Sequence, residues 1–335
     1  MVWYKNQTDD IVISSRIRLA RNLKDYPFYC KIDKNQSKQM IQQVTESIFN
    51  DRLNLKDCFE KIDFDNLDKV KQYTMLEKYI ISADFLETKN PKALILEKSQ
   101  NINIMLNEED HIRIQAINSG YNIEKCLTEA NRIDTLLQES LNYAFDKQYG
   151  YLTSCITNVG TGLRASFMLH LPMLEKYGHI QSISNNISKF GMTIRGMHGE
   201  GTKSFGSIYQ ISNQTTLGKT EQQIIEDLKN ITIQIVEREK NVRQNLKNTQ
   251  NIDILDKIYR SYGIIKYCKK IRFEEAMKHL SNIWLGKDIG VLDITQNIYN
   301  IMMDIQPATI AYKFNIDEQQ DIELYRAKYI NDVLK

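Results

Sequence analysis

Cysteine is scarce in this sequence, and the five cysteines that occur lie far apart. They stand at positions 30, 58, 126, 155 and 268, and no two of them form a CxxC pair. An odd number of scattered cysteines indicates neither a zinc ribbon nor a disulfide framework. We therefore expect a protein of the reducing cytoplasm.

The sequence also lacks a strong net charge, a leader pattern and a membrane span. Lysine and arginine total 44 against 42 acidic residues, a net charge of +2, which does not favour direct binding to nucleic acid. The first ten residues do not follow the basic-then-apolar pattern of a signal peptide. No apolar run reaches the roughly 18 residues that a membrane span requires, so we expect no membrane association. Internal repeats and low-complexity tracts are also lacking.

Strand and helix patterns are mixed in the first two thirds of the chain. Period-two alternation predicts a strand at residues 11–19, with Ser14, Arg16 and Arg18 on one face. The same rhythm predicts a strand pair over residues 102–116. Further predictions are helices at 36–60, 66–82 and 128–148, a strand at 151–157, a helix from about Leu163 that Pro172 interrupts or ends, and a strand at 207–213.

The character of the sequence changes after about residue 218. Glycine becomes sparse and helical spacing of apolar residues dominates, as in Leu228, Ile231 and Ile235. A charged and polar stretch, EREKNVRQNLKNTQN, follows at 237–251. We interpret the chain as a mixed helix-and-strand part followed by a mostly helical part.

Three adjacent acids, Glu108, Glu109 and Asp110, interrupt the predicted strand pair. Like charges packed side by side repel each other, so these acids do not serve the sheet itself. Period two puts Glu109 and Arg113 on one face, roughly 13 Å apart at about 3.3 Å per residue. That separation fits two ends of one substrate complex rather than a salt bridge. The alternative is a solvated turn.

Two glycine loops, NVGTG at 158–162 and RGMHGEGTKSFG at 195–206, match no common nucleotide motif well. The second has Thr202 where a Walker loop requires lysine, and the protein-kinase motifs HRD and DFG do not occur. GTGLRA at 160–165 imitates a dinucleotide fingerprint, but no acid follows at residues 179–184. Dinucleotide binding therefore stays a minor alternative.

Arginines recur beside these polar strands and loops. They are Arg16, Arg18, Arg113, Arg164 and Arg195. Guanidinium forks bind phosphate oxygens in pairs and keep their charge. Five of them from separate segments predict a nucleoside triphosphate site that needs no Walker lysine. For each arginine alone, the alternative is a surface salt bridge.

Four segments together resemble one family. They read SSRIR at 14–18, NEEDHIR at 107–113, CITNVGTGLRAS at 155–166 and RGMHGEGT at 195–202. In this order they resemble the catalytic domain of phosphagen (guanidino) kinases, and most of all the bacterial protein-arginine kinase branch. The resemblance spans about residues 11–230. It implies an α+β fold: a catalytic domain with an antiparallel sheet flanked by helices over 1–240, followed by a helical C-terminal domain over 241–335.

The resemblance also implies a reaction and the residues that carry it. The enzyme would transfer the γ-phosphoryl group of ATP to a guanidino nitrogen, with Mg²⁺ carried by ATP and no metal held by the protein. Glu109 and Glu200 would bind the guanidinium, and Cys155 would be a reactive cysteine beside them, with its thiolate favoured by nearby arginines. The implied ATP-binding residues are Ser14, Ser15, Arg16, Ile17, Arg18, Arg113, Arg164, Ala165, Ser166, Phe167, Met168, Arg195, Gly196, Met197, His198 and Gly199.

The implied substrates are arginine side chains of proteins. Phosphagen kinases carry a helical N-terminal domain that helps to enclose a small guanidine, and only 13 residues precede SSRIR here. A kinase of free arginine or another small guanidine is one alternative, and a non-catalytic chaperone or repressor adaptor is another. The resemblance also implies a Clp ATPase, a heat-shock repressor and a zinc-binding activator protein as partners.

The end of the chain departs from a family pattern, R-D-x-x-R-A, that is tied to recognition of phosphorylated arginine. The matching stretch reads IELYRA at 322–327, so Arg326 and Ala327 fit the pattern but Ile322 and Glu323 do not. This degenerate match favours a packing helix over a regulatory phosphoarginine site at Arg326. We expect the helical extension to form a homodimer, because exposed apolar helix faces need a partner.

Overall fold

The structure is a computed structural model that describes residues 3–6, 11–49, 55–197, 204–316 and 321–334. The strands in this part of the chain are β1 (Val12–Arg21), β2 (Phe59–Ile62), β3 (Ala93–Glu97), β4 (Ile102–Leu106), β5 (Ile112–Ser119), β6 (Phe145–Asp146), β7 (Gly150–Tyr151), β8 (Leu163–His170), β9 (Met192–Gly196) and β10 (Ile208–Asn213). The α-helices are α1 (Lys34–Ile48), α2 (Lys69–Glu77), α3 (Ala83–Glu87), α4 (Ile123–Gln138), α5 (Pro172–Lys176), α6 (His179–Ser188), α7 (Glu221–Thr249), α8 (Ile252–Tyr267), α9 (Phe273–Asp288), α10 (Ile298–Asp304), α11 (Pro307–Phe314) and α12 (Ile322–Val333). Short 3-10 turns lie at Trp3–Asn6, Phe64–Asn66 and Ile156–Asn158.

Eight strands form one sheet in the order β2-β3-β4-β5-β1-β8-β10-β9, and every neighbouring pair is antiparallel. The remaining two strands, β6 and β7, form a separate hairpin. The strand predicted at 11–19 is β1, the predicted pair over 102–116 is β4 with β5, and the strand predicted at 207–213 is β10. The α+β class, with an antiparallel sheet flanked by helices and a helical C-terminal region, is confirmed.

The helix predicted from Leu163 is wrong. Residues Leu163–His170 form β8, which lies in the sheet between β1 and β10. Both faces of this strand are largely buried, so its near-continuous apolar run does not distinguish a strand from a helix. Pro172 does not end a helix but begins α5, where a residue without an N–H is tolerated.

Several other predicted boundaries are wrong. The helix predicted at 128–148 is α4, which ends at Gln138, while the buried loop residues Leu141 and Ala144 continue its apolar rhythm without helical structure. The helices predicted at 36–60 and 66–82 are the shorter α1 and α2. The strand predicted at 151–157 contributes only Tyr151 to β7.

One face of the sheet is covered by helices. Ile17 on β1, Ala116 on β5 and Phe167 on β8 are fully buried on this face. Helices α1, α4, α6 and α7 supply the opposite side of this core, for example with Val44 and Leu228. This core fixes which face of every strand is apolar, so the other face is left for polar side chains.

The helices from α8 onward pack around a second core, with Trp284 fully buried in it. Trp3 and Ile13 from the start of the chain belong to the same core. Ile13 lies there because the register of β1 against β8 shifts between Val12 and Ser14. The first strand therefore contacts both cores.

A buried ion network joins the two parts of the chain. Arg243 on α7 pairs with Glu239 at 2.9 Å and with Asp288 on α9, and it donates a hydrogen bond at 2.8 Å to the carbonyl of His170 at the end of β8. Helix α7 itself runs continuously through residues 240 and 241. The division into domains 1–240 and 241–335 stays a prediction. In the described ranges, no helix has the length and apolarity required to cross a membrane.

Candidate active site

The face of the sheet opposite the main helical core carries the predicted arginines. In an antiparallel pair, residues directly opposite each other point to the same face. Arg18 on β1 lies opposite Arg164 on β8 and opposite Gln115 on β5. Arg16 and Arg113 are two residues from these positions on the same strands, so period two gives them the same face.

Arg195 reaches this face from the edge strand. It lies opposite Gln210 on β10, which in turn lies opposite Met168 on β8. Met168 shares its face with Arg164 because the two are four residues apart on one strand. The structure therefore brings all five predicted arginines to one surface, which we call the arginine face: Arg16, Arg18, Arg113, Arg164 and Arg195.

Most of these arginines are held without an acidic partner. Arg16 Nη2 donates to Gln210 Oε1 at 2.7 Å, and Arg164 Nη2 donates to Ser212 Oγ at 3.3 Å. The Nε of Arg18 is buried and has no hydrogen-bond partner. Within the described ranges, no carboxylate forms an ion pair with any of these three side chains.

The electrostatics of the arginine face favour an anion. The pKa of Arg16 is lowered to about 10, mainly by burial, with Arg164 and Arg113 adding to the effect. Burial also lowers the pKa of Arg18, and Arg16, Arg113 and Arg164 act in the same direction. Buried like charges destabilise each other unless an opposite charge lies between them. A polyphosphate would supply that charge in the form that guanidinium groups bind most strongly.

A cavity of about 540 Å³ opens beside Arg16 and Arg18. Tyr79, Glu77 and Pro307 also line it, so helix α2, the segment after it and the start of α11 close the side away from the sheet. Glu77 joins these walls, because its carboxylate accepts hydrogen bonds at 2.7 Å from the backbone N–H groups of Ala308 and Thr309. The C-terminal helices thus help to shape the arginine-lined cavity.

Several predicted ATP-binding residues do not direct their side chains to the arginine face. Ile17, Ala165 and Phe167 belong to the helix-covered core. Ser15 accepts a hydrogen bond from the Asn122 N–H at 2.7 Å and donates to the Gly120 carbonyl, so it fixes the turn into α4. Ser14, Ser166 and Met168, by contrast, share the arginine face.

The expected separation of Glu109 and Arg113 is wrong. Glu109 Oε2 accepts a hydrogen bond from Arg113 Nη2 at 3.0 Å, and Glu108 pairs with the Nε of the same arginine. The strands end at Leu106 and begin again at Ile112, so the acids lie in a turn and not on a continued strand. Asn107 closes this turn with a φ of +64° and donates its N–H to the His111 carbonyl at 2.9 Å.

Glu109 lies where the acidic turn meets the arginine face. Burial raises the pKa of its carboxyl, while Arg113 opposes the shift. A second cavity of about 360 Å³ adjoins it, with Glu108, Asp84 and Glu87 also in its lining. The charge of the acid-lined cavity suits a cation, and the charge of the adjacent arginine-lined cavity suits a polyanion.

The side chain of Asp110 is hydrogen-bonded to the backbone next to Cys155. The fully buried Asp110 accepts hydrogen bonds from Asn22 Nδ2 at 2.6 Å and from the Ser154 N–H at 2.7 Å. Cys155 follows directly, is half-buried, and lies 3.1 Å from Thr157 Oγ1 through its Sγ. Burial lowers the pKa of Arg164, and the electrostatic interactions with Cys155 and Glu109 raise it. The predicted cysteine therefore lies beside both the acidic turn and the arginine face.

The second glycine loop is described only up to its first residues. Arg195 is exposed, and Gly196 ends β9. Met197 is buried, and its Sδ accepts a hydrogen bond from the Tyr79 hydroxyl. The predicted site residues His198, Gly199 and Glu200 lie outside the described residues.

Arg326 has a packing role in the C-terminal core. It is 2% exposed, and it donates hydrogen bonds at 3.1 Å to the carbonyls of Ile305 and Ile271. Its guanidinium also lies over the Phe273 ring. These contacts tie α12 to the helices before it.

Sequence reasoning missed residues that complete the site. Tyr79 has a φ of +58°, places its ring near Arg16, and accepts a hydrogen bond from Gln115 Nε2 through its carbonyl. No periodicity marks a residue in such a loop. Asp110 was visible as the third acid of its cluster, but its link to Ser154 spans 44 residues and has no local signal. In the parts of the chain that the structure describes, no group of three or more His, Cys, Asp and Glu residues is arranged to hold a metal ion.

Comparison with solved structures supports the fold. The chain is similar to lombricine kinase, with a TM-score of 0.60, 20% identity and coverage of 71% of this chain and 69% of that one. It is also similar to the duplicated taurocyamine kinase from Schistosoma mansoni with bound transition state analog components, with a TM-score of 0.61, 22% identity and coverage of 71% and 36%. At these identities the likeness concerns the fold alone.

Comparison with families and curated proteins covers the whole chain. Residues 39–242 match the ATP:guanido phosphotransferase C-terminal catalytic domain, and residues 251–335 match the protein-arginine kinase McsB C-terminal domain. The protein-arginine kinase of Clostridium kluyveri is 41% identical over 99% of this chain and 96% of its own length. That of Caldanaerobacter subterraneus subsp. tengcongensis is 38% identical over 97% of each chain. The chain therefore belongs to the protein-arginine kinase family of ATP:guanido phosphotransferases.

Proposed function

We propose that this protein transfers the γ-phosphoryl group of ATP to the guanidino group of arginine side chains in proteins. The observation that carries the proposal is the meeting of the arginine face with Glu109: a surface that needs an anion adjoins a carboxylate that suits a guanidinium. The protein-arginine kinase relatives support arginine in proteins as the acceptor.

The arginine face would bind the phosphates. Arg16, Arg18 and Arg164 have few competing partners, so their N–H donors are available to phosphoryl oxygens. Arg113 already pairs with Glu108 and Glu109 and so lies between the phosphate and guanidinium ends. Mg²⁺ carried by the ATP oxygens would neutralise further charge on the transferring group.

Glu109 would orient the acceptor and take its proton. A guanidinium has a pKa above about 12, so its nitrogen must lose a proton near the transition state before it attacks phosphorus. The nitrogen–phosphorus bond forms as the bond from the γ-phosphorus to the bridging oxygen of ADP breaks, and the proton passes to the carboxylate. Burial makes Glu109 a stronger base than an exposed glutamate, and Glu200 would be the second carboxylate of the clamp.

Cys155 would modulate the guanidinium end of the site. It follows Ser154, which Asp110 holds, so its thiol would lie within reach of a guanidinium bound at Glu109. The catalytic domain would span 1–240, and the helical domain over 241–335 would support dimerisation. A Clp ATPase, a heat-shock repressor and a zinc-binding activator are the partners we propose from the resemblance, in the cytoplasm.

The test uses Mg²⁺ and γ-labelled ATP with two acceptors, free arginine and an unstructured protein that contains arginine. Acid-labile label on the protein, with little on free arginine, is the expected result, because a phosphorus–nitrogen bond hydrolyses in acid while a serine phosphate ester survives. The Glu109→Gln variant should lose this label, whereas Glu60→Gln, at an exposed position on β2, should keep it.

Two other results would contradict the proposal. Label mainly on free arginine would indicate a kinase of small guanidines. No transfer to either acceptor, together with retained binding of a protein partner by Glu109→Gln, would indicate an adaptor.

A further inference from the structure

Four large apolar side chains are exposed around the loop that carries Cys155. Ile156 is 85% exposed, Phe145 58%, Leu217 56% and Tyr149 49%. Single exposed apolar residues are ordinary on a protein surface, but several in one place mark an interaction site. We call these four residues the loop patch.

The loop patch is continuous because its segments are bonded together. Phe145 on β6 packs its ring edge against Tyr151 on β7, with ring centroids 5.2 Å apart. Tyr151 forms a backbone bridge with Gly160, and a Cβ on Gly160 would lie 3.0 Å from Leu217 Cα. One surface is therefore formed by the β6–β7 hairpin, the glycine loop at 158–162 and the segment around Leu217.

This surface is presented rigidly. Thr216 Oγ1 donates to the Val159 carbonyl at 2.6 Å, which holds the Cys155 loop against the segment at 217. The Arg21 guanidinium lies 3.6 Å from the Tyr151 ring centroid, and Arg21 is itself paired with Asp134. A held apolar surface loses little conformational entropy when a partner binds to it.

The loop patch is continuous with the guanidinium end of the proposed active site. Ile156 directly follows Cys155, and Asp110 holds Ser154 while its neighbour Glu109 faces the acceptor. The connection from Glu109 to Ile156 passes through three residues, Asp110, Ser154 and Cys155. On the other side of Glu109 lies the acid-lined cavity with Asp84 and Glu87, which attracts a cationic chain.

We propose that the loop patch binds an apolar side chain of the protein substrate, two to four residues from the target arginine, in an unfolded segment. This inference rests on the proposed function and adds a substrate class to it. An unfolded segment exposes apolar side chains next to arginine, whereas a folded surface rarely presents both in extended form. The target arginine would enter at Glu109 while the apolar residue covers Ile156 and Phe145.

The test compares two synthetic peptides of equal length and charge. One carries arginine with leucine at the second to fourth positions on both sides, and the other carries serine there. We expect the parent enzyme to show a kcat/KM about tenfold higher for the leucine peptide. The variants Phe145→Ser and Leu217→Ser should reduce this ratio to about one.

Ile252→Ser is the matched control, because Ile252 is 74% exposed on α8, outside the loop patch. It should keep the parent's ratio. Equal kcat/KM for the two peptides in the parent, or an undiminished ratio in Phe145→Ser and Leu217→Ser, would overturn the docking inference alone. Absence of label on arginine in both peptides would overturn the proposed function as well.

A second copy of the chain is the other occupant to distinguish. Sedimentation of the parent and of Phe145→Ser at equal concentration measures this. A smaller assembly for Phe145→Ser, with the peptide ratio unchanged, would assign the loop patch to contact between copies and overturn substrate docking.

Discussion

Asp110 accepts a hydrogen bond from the backbone N–H of Ser154 at 2.7 Å, across 44 residues of sequence. The same carboxylate oxygen accepts from Asn22 Nδ2 at 2.6 Å. Asp110 thus holds the acidic turn that carries Glu109 against the loop that carries Cys155. We regard Asp110 as a positioning residue, since it acts through its neighbours.

Replacing Asp110 should loosen both sides of the site. Asp110→Ala removes the acceptor of a buried Asn22 N–H and of the part-buried Ser154 N–H, which should lower the free energy of unfolding by about 2–4 kcal/mol. Asp110→Asn keeps an acceptor oxygen and should lose less. Urea unfolding measures the stability. Asp293→Ala, at an exposed position, is the control and should change nothing.

A merely structural role for Asp110 would affect stability alone. If it positions the site, Asp110→Asn should lower kcat for arginine more than it raises the KM for ATP. It should also change the alkylation rate of Cys155, followed by peptide mass spectrometry. An unchanged kcat and alkylation rate in a folded variant would contradict the positioning role.

Arg18 should lower the stability of the nucleotide-free protein and strengthen its binding of ATP. Its Nε is buried without a partner, and burial together with Arg16, Arg113 and Arg164 lowers its pKa. Arg18→Met removes an uncompensated charge and should raise the free energy of unfolding without nucleotide by about 1 kcal/mol. The same change should weaken binding of Mg²⁺–ATP at least about tenfold.

Urea unfolding and titration calorimetry measure these two effects. Arg260→Met removes a guanidinium whose side chain is 75% exposed and should leave both quantities near the parent's. A destabilised Arg18→Met variant with normal ATP affinity would show that Arg18 serves the fold and not the phosphates.

Glu109 should make stability depend on pH in a defined direction. Burial raises its pKa in the folded state, with Arg113 opposing, so the folded protein holds this proton more tightly than the unfolded chain. Stability is therefore lost as pH rises from the ordinary glutamate pKa, about 4.3, through the folded pKa. Glu109→Gln cannot ionise and should be more stable than the parent at pH 7.

The stability gain from Glu109→Gln should vanish near pH 4, where both side chains are neutral. Denaturant midpoints at pH 4 and 7 measure it, and Glu60→Gln should show no such pH-dependent gain. Phosphoryl transfer by Glu109→Gln should fall at least about 100-fold at pH 7. A stability difference that grows toward acid would show that the sign of the pKa shift is wrong.

Arg326 should behave as a structural residue. Its guanidinium donates to the carbonyls of Ile305 and Ile271 in the C-terminal core. Arg326→Met leaves these buried acceptors unsatisfied and should lower the free energy of unfolding by about 2–3 kcal/mol. Arg272→Met is the exposed control, with a side chain 72% exposed. Parent-like stability with lost binding of phosphoarginine would instead support a regulatory site.

Local patterns predicted the elements whose structure depends on nearby residues. The period-two rhythm of β1 and of the β4–β5 pair, and the placing of Arg16 with Arg18 on one face, follow from alternation alone. The prediction for β8 failed because a strand buried on both faces shows no alternation. Helix α4 was extended too far because Leu141, in a loop, is as buried as a helical residue.

The sequence by itself determined which residues we propose to carry the chemistry: five arginines, the acidic turn and Cys155, in motifs that identify the family. Only the tertiary structure decided how these residues meet. The salt bridge from Glu109 to Arg113 depends on a turn closed by Asn107, and the Asp110–Ser154 bond depends on packing between distant segments. Such contacts leave no local pattern because the pairing of the whole sheet, and not any single segment, brings the atoms within bonding distance.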